Sequence, residues 1–199
     1  MRDTPRWNQA ALDADLRFPQ AAETFSCALD APITEKDSPH LYTMLRRMLL
    51  DAGRTTTAAK DHYGRPRPFV VYGESSCTPG DEAILRINSS YPSGHTTVGW
   101  AWALVLTEIA PDRTNALLAR GRSFGESRIV CNVHWQSDVL QGMFLGAGLA
   151  ARLHANEEFL GDLAAAKTEF AAMRAKGLKP TRDCAAEATA LSQKLKLAM

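Results

Sequence analysis

Three short segments of the sequence contain the side chains needed to bind a phosphate and cleave its ester. They are Lys60–Pro68, Pro92–His95 and Ser127–Asp138. Together they supply three cations, two histidines, one carboxylate and a serine hydroxyl beside a glycine. Cationic side chains can hold phosphoryl oxygens as charge develops on them, and a histidine activated by a carboxylate is a nucleophile. If the segments meet in space, they predict phosphate-ester chemistry at a histidine.

The second segment, Pro92-Ser93-Gly94-His95, has the pattern of a helix start. Ser93 is placed to cap a helix that begins at Gly94, and a helix N-terminus with free backbone N–H groups binds anions. His95 then lies in the first turn, close to any bound phosphate. The helix dipole lowers the pKa of a histidine there, whereas a bound phosphate dianion raises it again. We therefore predict that His95 is a general acid.

In the third segment, His134 and Asp138 are four residues apart, which predicts that both lie on one face of the same helix. A carboxylate that accepts a hydrogen bond from one ring nitrogen leaves the other unprotonated, as a nucleophile requires. Lys60, Arg67 and Arg128 supply positive charge around the transition state. Because these cations can take the place of Mg²⁺ or Zn²⁺, no metal ion is expected.

Each segment alone has a commonplace explanation: a surface Arg-Pro pair, a helix entry, or an ordinary side-chain pair. Their joint occurrence, with eleven residue types in a set order, is what chance does not easily produce. The remaining histidines, His40, His62 and His154, are not assigned to the site. Of these, His62 has the best chance of lining the pocket, because it lies between Lys60 and Arg67.

Composition predicts an ordinary globular protein. With 199 residues, 23% charged and 45% hydrophobic, the chain 1–199 is expected to form one domain. A net charge of +1 gives no electrostatic reason to expect nucleic acid as a partner. The most apolar stretch, Val139–Leu153, contains Gln141 and Arg152, so we expect a closely packed helix inside a bundle and not a membrane span.

Cysteine spacing bears on the compartment. Cys27, Cys77, Cys131 and Cys184 are four in number and none has CxxC spacing, so metal-ligand clustering is not indicated. Two disulfides in an oxidising compartment are favoured over four unpaired thiols. If the cysteines pair, Cys77 with Cys131 and Cys27 with Cys184 is the preferred arrangement. The N-terminus lacks the apolar centre of a signal peptide, which fits either an intracellular protein or a mature exported one. The cysteines favour a periplasmic or secreted protein.

The elements that must position these residues are predicted to be helices joined by one long loop. Arg65–Ser90 is the loop, with a short helix at Asp81–Arg86. The predicted helices are Leu41–Ala52 with a stop at Gly53, a further helix from Arg54 with Lys60 on its last turns, Gly94–Ile109, Asn115–Ile129 with Asp112 as its cap, His134–Ala155, Glu157–Lys176 with Phe159, Leu160, Leu163, Ala166, Phe170 and Met173 on one stripe, and Pro180–Leu197.

The three segments, written Lys-x6-Arg-Pro, Pro-Ser-Gly-His and Ser-Arg-x5-His-x3-Asp, resemble the signature of the type 2 phosphatidic acid phosphatase (PAP2) superfamily, which shares its site with vanadium haloperoxidases. The flanking segments Ala31–Asp37, Ser90–Thr96 and His134–Val139 are similar to those of bacterial class A non-specific acid phosphatases. The similarity covers a core of residues 25–173. It implies an all-α, single-domain helical bundle of the PAP2/haloperoxidase type.

The resemblance also implies a metal-independent phosphatase without a cofactor, exported to the periplasm and often a homodimer. Its partners are small phosphate monoesters such as nucleotides, sugar phosphates and aryl phosphates. His134 attacks phosphorus to form a phosphohistidine, Asp138 orients it, and His95 protonates the leaving alcohol. Some relatives transfer the phosphoryl group to alcohols such as nucleosides. The residues implied to hold the phosphoryl oxygens are Lys60, Arg67, Ser93, Gly94 and Arg128.

Three alternatives have less support in the sequence. A vanadium-dependent haloperoxidase shares the anion pocket but not the flanking segments. A membrane lipid phosphatase needs a spanning helix, and a phosphate-binding module without turnover does not need His95, His134 and Asp138 intact. For the leaving-group pocket we expect walls from residues 69–87 and from Tyr72, Glu74, Tyr91 and Glu126.

Overall fold

The computed structural model describes residues 1–195, which contain helices and turns but no strand. Short 3₁₀ turns lie at Pro79–Asp81 and at Pro111–Arg113. The predicted all-α fold is confirmed. The helices are α1 (Pro5–Leu12), α2 (Gln20–Glu23), α3 (Ser26–Leu29), α4 (Pro39–Tyr63), α5 (Pro68–Tyr72), α6 (Glu82–Arg86), α7 (Gly94–Ile109), α8 (Thr114–Val130), α9 (Gln136–Leu153), α10 (Glu157–Ala175) and α11 (Cys184–Ser192).

The central helix is α7, whose predicted bounds are confirmed. It packs against α4, α8 and α9. Val98, Trp102 and Leu106 are all buried, as expected for a helix that is apolar on every side. The indole N–H of Trp102 donates to the carbonyl oxygen of Leu45 in α4 at 3.0 Å, which leaves no buried donor unpaired on this ring.

Helix α9 approaches α7 through two glycines. A Cβ added at Gly142 would lie 2.7 Å from the carbonyl oxygen of Ser93, and one at Gly146 would lie 2.7 Å from that of Thr97. Carbon atoms do not approach backbone that closely, so alanine at either position would push the helices apart. The predicted close packing of this stretch is confirmed. In residues 1–195 no helix, α9 included, is long and apolar enough to cross a membrane.

The predicted helix break at Gly53 is wrong, because α4 runs without interruption from Pro39 to Tyr63. Glycine in a helix costs about 1 kcal/mol relative to alanine. Met48, Ala52 and Thr56 are buried on both sides of Gly53, and this packing outweighs that cost. The helix does carry Lys60 in its last turn, as predicted.

One predicted helix cap and one predicted helix start are also wrong. Asp112 does not cap α8, which begins two residues later, after the 3₁₀ turn; its carboxylate pairs instead with Arg174 at 2.8 Å. Helix α11 starts at Cys184 and not at Pro180, because the Asp183 side chain caps it by accepting from the Ala186 amide. The predicted end of this helix, Leu197, lies outside the described residues.

The stripe predicted on α10 is buried except at Leu160, which is 43% exposed. In the loop before α7, the short helix α6 is confirmed, whereas α5 was not predicted. Helices α1 to α3 were not predicted either. A local signal for α1 existed: the Thr4 hydroxyl caps it by accepting from the Trp7 amide at 3.3 Å, with proline next in the chain.

Both predicted disulfides are confirmed, and all four cysteines are paired. Cys77–Cys131 joins the long loop to the C-terminal end of α8, and the Cys77 amide also donates to the carbonyl oxygen of Cys131 at 3.1 Å. Cys27–Cys184 joins α3 to α11. Disulfides of this kind persist in oxidising compartments.

Replacing Cys27 and Cys184 together with serine is expected to lower the free energy of unfolding by about 2–5 kcal/mol. The cross-link spans 157 residues of sequence, so its loss frees much of the unfolded chain. Urea denaturation without reductant measures the change. Equal stability of the variant and the wild type, or four free thiols in the wild type by mass spectrometry, would contradict the cross-link.

Candidate active site

The predicted site residues come from four helix ends and two connecting segments. Lys60 is in the last turn of α4 and Arg128 in the last turn of α8. Ser93, Gly94 and His95 form the start of α7, and Asp138 is in the first turn of α9. Arg67 and His134 lie in the connections that precede α5 and α9. The amide of Ser93 donates to the carbonyl oxygen of Asp138 at 3.1 Å, which fixes the starts of α7 and α9 side by side.

Asp138 is fully buried, and its Oδ2 lies 3.4 Å from Nδ1 of His134. The predicted pairing is confirmed, but the shared helix face is wrong. Trp135 is the N-cap of α9, so His134 lies in the preceding turn. Asp138 Oδ2 also accepts from the Trp135 amide at 2.8 Å. Burial raises the pKa of Asp138, but hydrogen bonds from His134 and Trp135 together hold it below its usual value.

Arg67 identifies the tautomer of His134. Its Nη1 lies 3.1 Å from Nε2 of His134. A guanidinium only donates hydrogen bonds, so Nε2 is the acceptor and Nδ1 carries the proton that faces Asp138. Burial lowers the pKa of His134 to about 3, although the hydrogen bond to Asp138 raises it. The charges of Arg67, Arg128 and Lys60 lower the pKa further. The ring is therefore neutral above a pH of about 3, with a lone pair at Nε2.

Two of the cations are held by carbonyl oxygens. Lys60 Nζ donates to Ser89 at 2.6 Å, and buried Arg67 donates to Asn88 and Val133 at 3.1 Å each. Burial, with the charge of Arg67, lowers the pKa of Lys60 to about 8. Burial lowers the pKa of Arg67 to about 10. Both are cations at acidic pH.

The third cation, Arg128, is 2% exposed, and its Nε and Nη1 have no hydrogen-bond partner within residues 1–195. Burial lowers its pKa to about 10, so it stays charged at neutral pH. A buried donor left without a partner costs about 1–3 kcal/mol, and more if charged. This unpaired guanidinium indicates an anion site.

The described residues contain no cluster of three or more His, Cys, Asp or Glu able to hold a metal ion.

The start of α7 has the predicted geometry. Ser93 Oγ accepts from the Thr96 amide at 3.3 Å, so the predicted cap is confirmed. A Cβ added at Gly94 would meet only Thr56 Oγ1, at 3.8 Å, so the packing of the protein does not itself require glycine there. The bare backbone instead leaves the helix N-terminus open to an anion.

His95 is half-buried, and its Nε2 lies 2.9 Å from the carbonyl oxygen of Ala14 in the turn after α1. Burial and the nearby charge of Arg128 lower the pKa of His95 well below its usual value, despite the bond to Ala14. This partner from the N-terminal segment could not be predicted from residue types, because the contact is made by a backbone atom.

Arg65 was missed as a site residue. Its Nη1 donates to Asp138 Oδ1 and to Ser137 Oγ, each at 2.7 Å, and its guanidinium lies over the Trp135 ring at 5.3 Å. Two Arg-Pro pairs follow each other in Arg65-Pro66-Arg67-Pro68, and only the second matched the expected spacing. The first pair was the available signal.

A cleft of about 790 Å³ opens beside His95 and Arg128. Its walls come from the end of α1 with the turn that follows, including Leu12 and Leu16, and from α6. Of the predicted wall, residues 78, 81, 84 and 85 line it. Tyr72, Glu74, Tyr91 and Glu126 do not, and neither does His62. Four of these five side chains make other contacts: Tyr72 packs on Trp135, Glu74 pairs with Arg2, and His62 and Tyr91 pack on Tyr63.

Comparison with known proteins gives a consistent result. Residues 39–160 match the family model of the PAP2 superfamily. A non-specific acid phosphatase of Providencia stuartii is 47% identical over 87% of this chain and 71% of its own length. A non-specific acid phosphatase of Salmonella typhimurium is 46% identical over 85% of this chain and 68% of its own length. An acid phosphatase of Zymomonas mobilis is 37% identical over 90% of this chain and 68% of its own length.

The matched segment contains Lys60, Arg67, His95, His134 and Asp138, so the part of the chain that carries the site is also the part that carries the family likeness. The segment is more than half of the chain, and the similarity to the relatives extends beyond it on both sides of the site. The chain belongs to the PAP2 superfamily.

Proposed function

We propose that this chain, an acid phosphatase by homology, hydrolyses phosphate monoesters of broad specificity through a phosphohistidine on His134. The observation that carries the proposal is the chain of contacts Arg67–His134–Asp138, which leaves the Nε2 lone pair among buried cations. The names of the relatives support a phosphatase over the haloperoxidase alternative. The charge of Lys60 and two arginines takes the role that a metal ion has in other phosphatases.

In the first step, Nε2 of His134 attacks phosphorus as the ester P–O bond breaks. The electron pair of that bond stays on the leaving oxygen, which takes a proton from His95. Arg128 and the start of α7 bind the phosphoryl oxygens. In the second step, His95 removes a proton from water, the water oxygen bonds to phosphorus, and the P–N bond to His134 breaks. Phosphate is released and both histidines return to their starting forms.

An acidic pH range follows from the two histidines. The pKa of His134 near 3 keeps the nucleophile neutral, and the lowered pKa of His95 means that acid is needed to protonate it. A bound phosphate raises the pKa of His95 and widens that range. The two groups titrate as a coupled pair.

The open cleft suits leaving groups of different shapes, which supports nucleotides, sugar phosphates and aryl phosphates as substrates. An alcohol that enters in place of water would accept the phosphoryl group, so phosphotransfer to nucleosides belongs to the same proposal. The two disulfides support a periplasmic or secreted location. A single domain over residues 1–199 and a homodimer are part of the proposal, and neither is needed for the chemistry.

Replacing His134 with alanine is expected to abolish hydrolysis of p-nitrophenyl phosphate, because it removes the Nε2 lone pair that attacks phosphorus in this proposal. The matched control is His40→Ala, which removes an exposed histidine at the start of α4. Turnover without added metal, together with circular dichroism to verify folding, measures the effect. Retained turnover in folded His134→Ala would contradict the nucleophile, and trapping of radioactive phosphate on the wild type but not the variant would support it.

The lowered pKa of Lys60 predicts how anion binding depends on pH. The protonated form binds anions, so affinity is full below the pKa of about 8 and falls as the pH rises through it. The fall approaches about tenfold per pH unit, the limit for one linked proton. Calorimetric titration with sulfate, whose own charge is constant in this range, measures the change. Lys60→Met should bind sulfate weakly even below pH 8, and its affinity should not fall in this way as the pH rises. The same pH dependence in both proteins would refute Lys60 as the group that titrates.

A further inference from the structure

The turn after α1 contains a buried aspartate that is not explained by the reaction so far. Asp13 is 1% exposed and accepts hydrogen bonds from Gln9 Nε2 at 2.8 Å, Arg120 Nη2 at 2.5 Å and Ser127 Oγ at 2.5 Å. Burying a carboxylate costs several kcal/mol unless such partners compensate it. Ser127 immediately precedes Arg128 in α8, so Asp13 fastens the N-terminal turn to the part of α8 that enters the site.

Asp13 is ionised in this environment. Burial raises its pKa, but the charge of Arg120 and the hydrogen bonds from Arg120 and Ser127 together hold the pKa below its usual value. The contacts are therefore maintained at the acidic pH at which the proposed reaction runs. A second link reinforces them, because Arg6 of α1 also donates to Ser127 Oγ, at 2.8 Å.

The residue next to Asp13 contacts the proposed general acid. The carbonyl oxygen of Ala14 lies 2.9 Å from Nε2 of His95. A carbonyl oxygen only accepts, so Nε2 carries a proton and Nδ1 is the nitrogen left to exchange one. Phe124 stacks against the imidazole with 6.3 Å between ring centroids and 28° between planes. One ring nitrogen and one ring face are thus fixed by groups outside the phosphate pocket.

We infer that Asp13 is a positioning residue for the general acid: its buried carboxylate anchors the turn whose next carbonyl holds His95, so that the leaving group is protonated from Nδ1. The inference rests on the proposed function, in which His95 is the acid. The proton moves from Nδ1 to the leaving oxygen, which keeps the electron pair of the broken P–O bond, while Nε2 of His134 bonds to phosphorus.

The role predicts an effect that depends on the leaving group. p-Nitrophenolate leaves without much help from an acid, whereas the alkoxide of glycerol phosphate needs a proton in the transition state. In the full chain, Asp13→Asn should therefore lower kcat on glycerol phosphate about tenfold more than on p-nitrophenyl phosphate, a part of the roughly 10²–10⁴-fold that general acids contribute. KM should change little on both substrates, since the phosphate-binding residues are intact.

The matched control is Glu187→Gln in α11. Glu187 is buried and pairs with the same guanidinium, Arg120 Nε, at 3.3 Å, and no hydrogen bond joins it to Ser127 in the described structure. This variant should lose thermal stability as Asp13→Asn does, yet keep the wild-type ratio of the two kcat values. Because Asp13→Asn leaves Arg120 less well compensated and could fail to fold, Ser127→Ala serves as a second variant. It removes one donor to Asp13 and should shift the ratio in the same direction by a smaller factor.

The outcomes separate this inference from the proposed function. Loss of kcat by equal factors on both substrates in Asp13→Asn, or in Ser127→Ala where the first variant does not fold, would overturn the positioning role. His95→Asn is the reference variant. The loss of kcat on glycerol phosphate relative to that on p-nitrophenyl phosphate should be larger in His95→Asn than in Asp13→Asn. Equal losses of kcat on both substrates in His95→Asn would contradict the role of His95 as general acid. A wild type that is inactive on both esters would contradict the proposed phosphatase activity.

Discussion

The close contact between α7 and α9 is the constraint on which the site depends. The Ser93 amide donates to the Asp138 carbonyl oxygen. The helices pack so closely that a Cβ added at Gly142 would lie only 2.7 Å from the carbonyl oxygen of Ser93. The two helix starts, one carrying His95 and the other preceded by His134, are therefore held side by side. Densely packed helices move as units, and a displacement of about 1 Å can cost about 10²-fold in rate.

Local signals in the sequence were sufficient for much of this arrangement. A serine before a glycine located the start of α7, and its cap is made by neighbouring atoms. The four-residue spacing of His134 and Asp138 found a true pair, although the helix begins between them with Trp135 as its cap. The spacing of residues could not predict that the Arg67 side chain contacts His134 Nε2, because the two residues are 67 positions apart in the chain.

Long-range contacts account for the other differences. Gly53 has the local signature of a helix end, but burial of Ala52 and Thr56 keeps α4 continuous. Arg65 becomes part of the site only because the loop folds back onto Asp138, 73 residues away. The walls of the cleft come largely from the turn after α1, and no spacing rule connects that turn to the histidines. Such residues are placed by the whole fold, so a local pattern cannot find them.

The anchoring of the N-terminal turn has a consequence for synthesis of the chain. Asp13 is synthesised 107 residues before Arg120, and Cys27 is synthesised 157 residues before its partner Cys184. Closing such long loops is slow compared with forming helices. The anchor is therefore completed only after both segments have been made, and a chain that retains every signature residue but lacks α11 would lose the pair of Glu187 with Arg120 and the Cys27–Cys184 cross-link. The signature residues are thus supported by contacts that lie outside the signature itself.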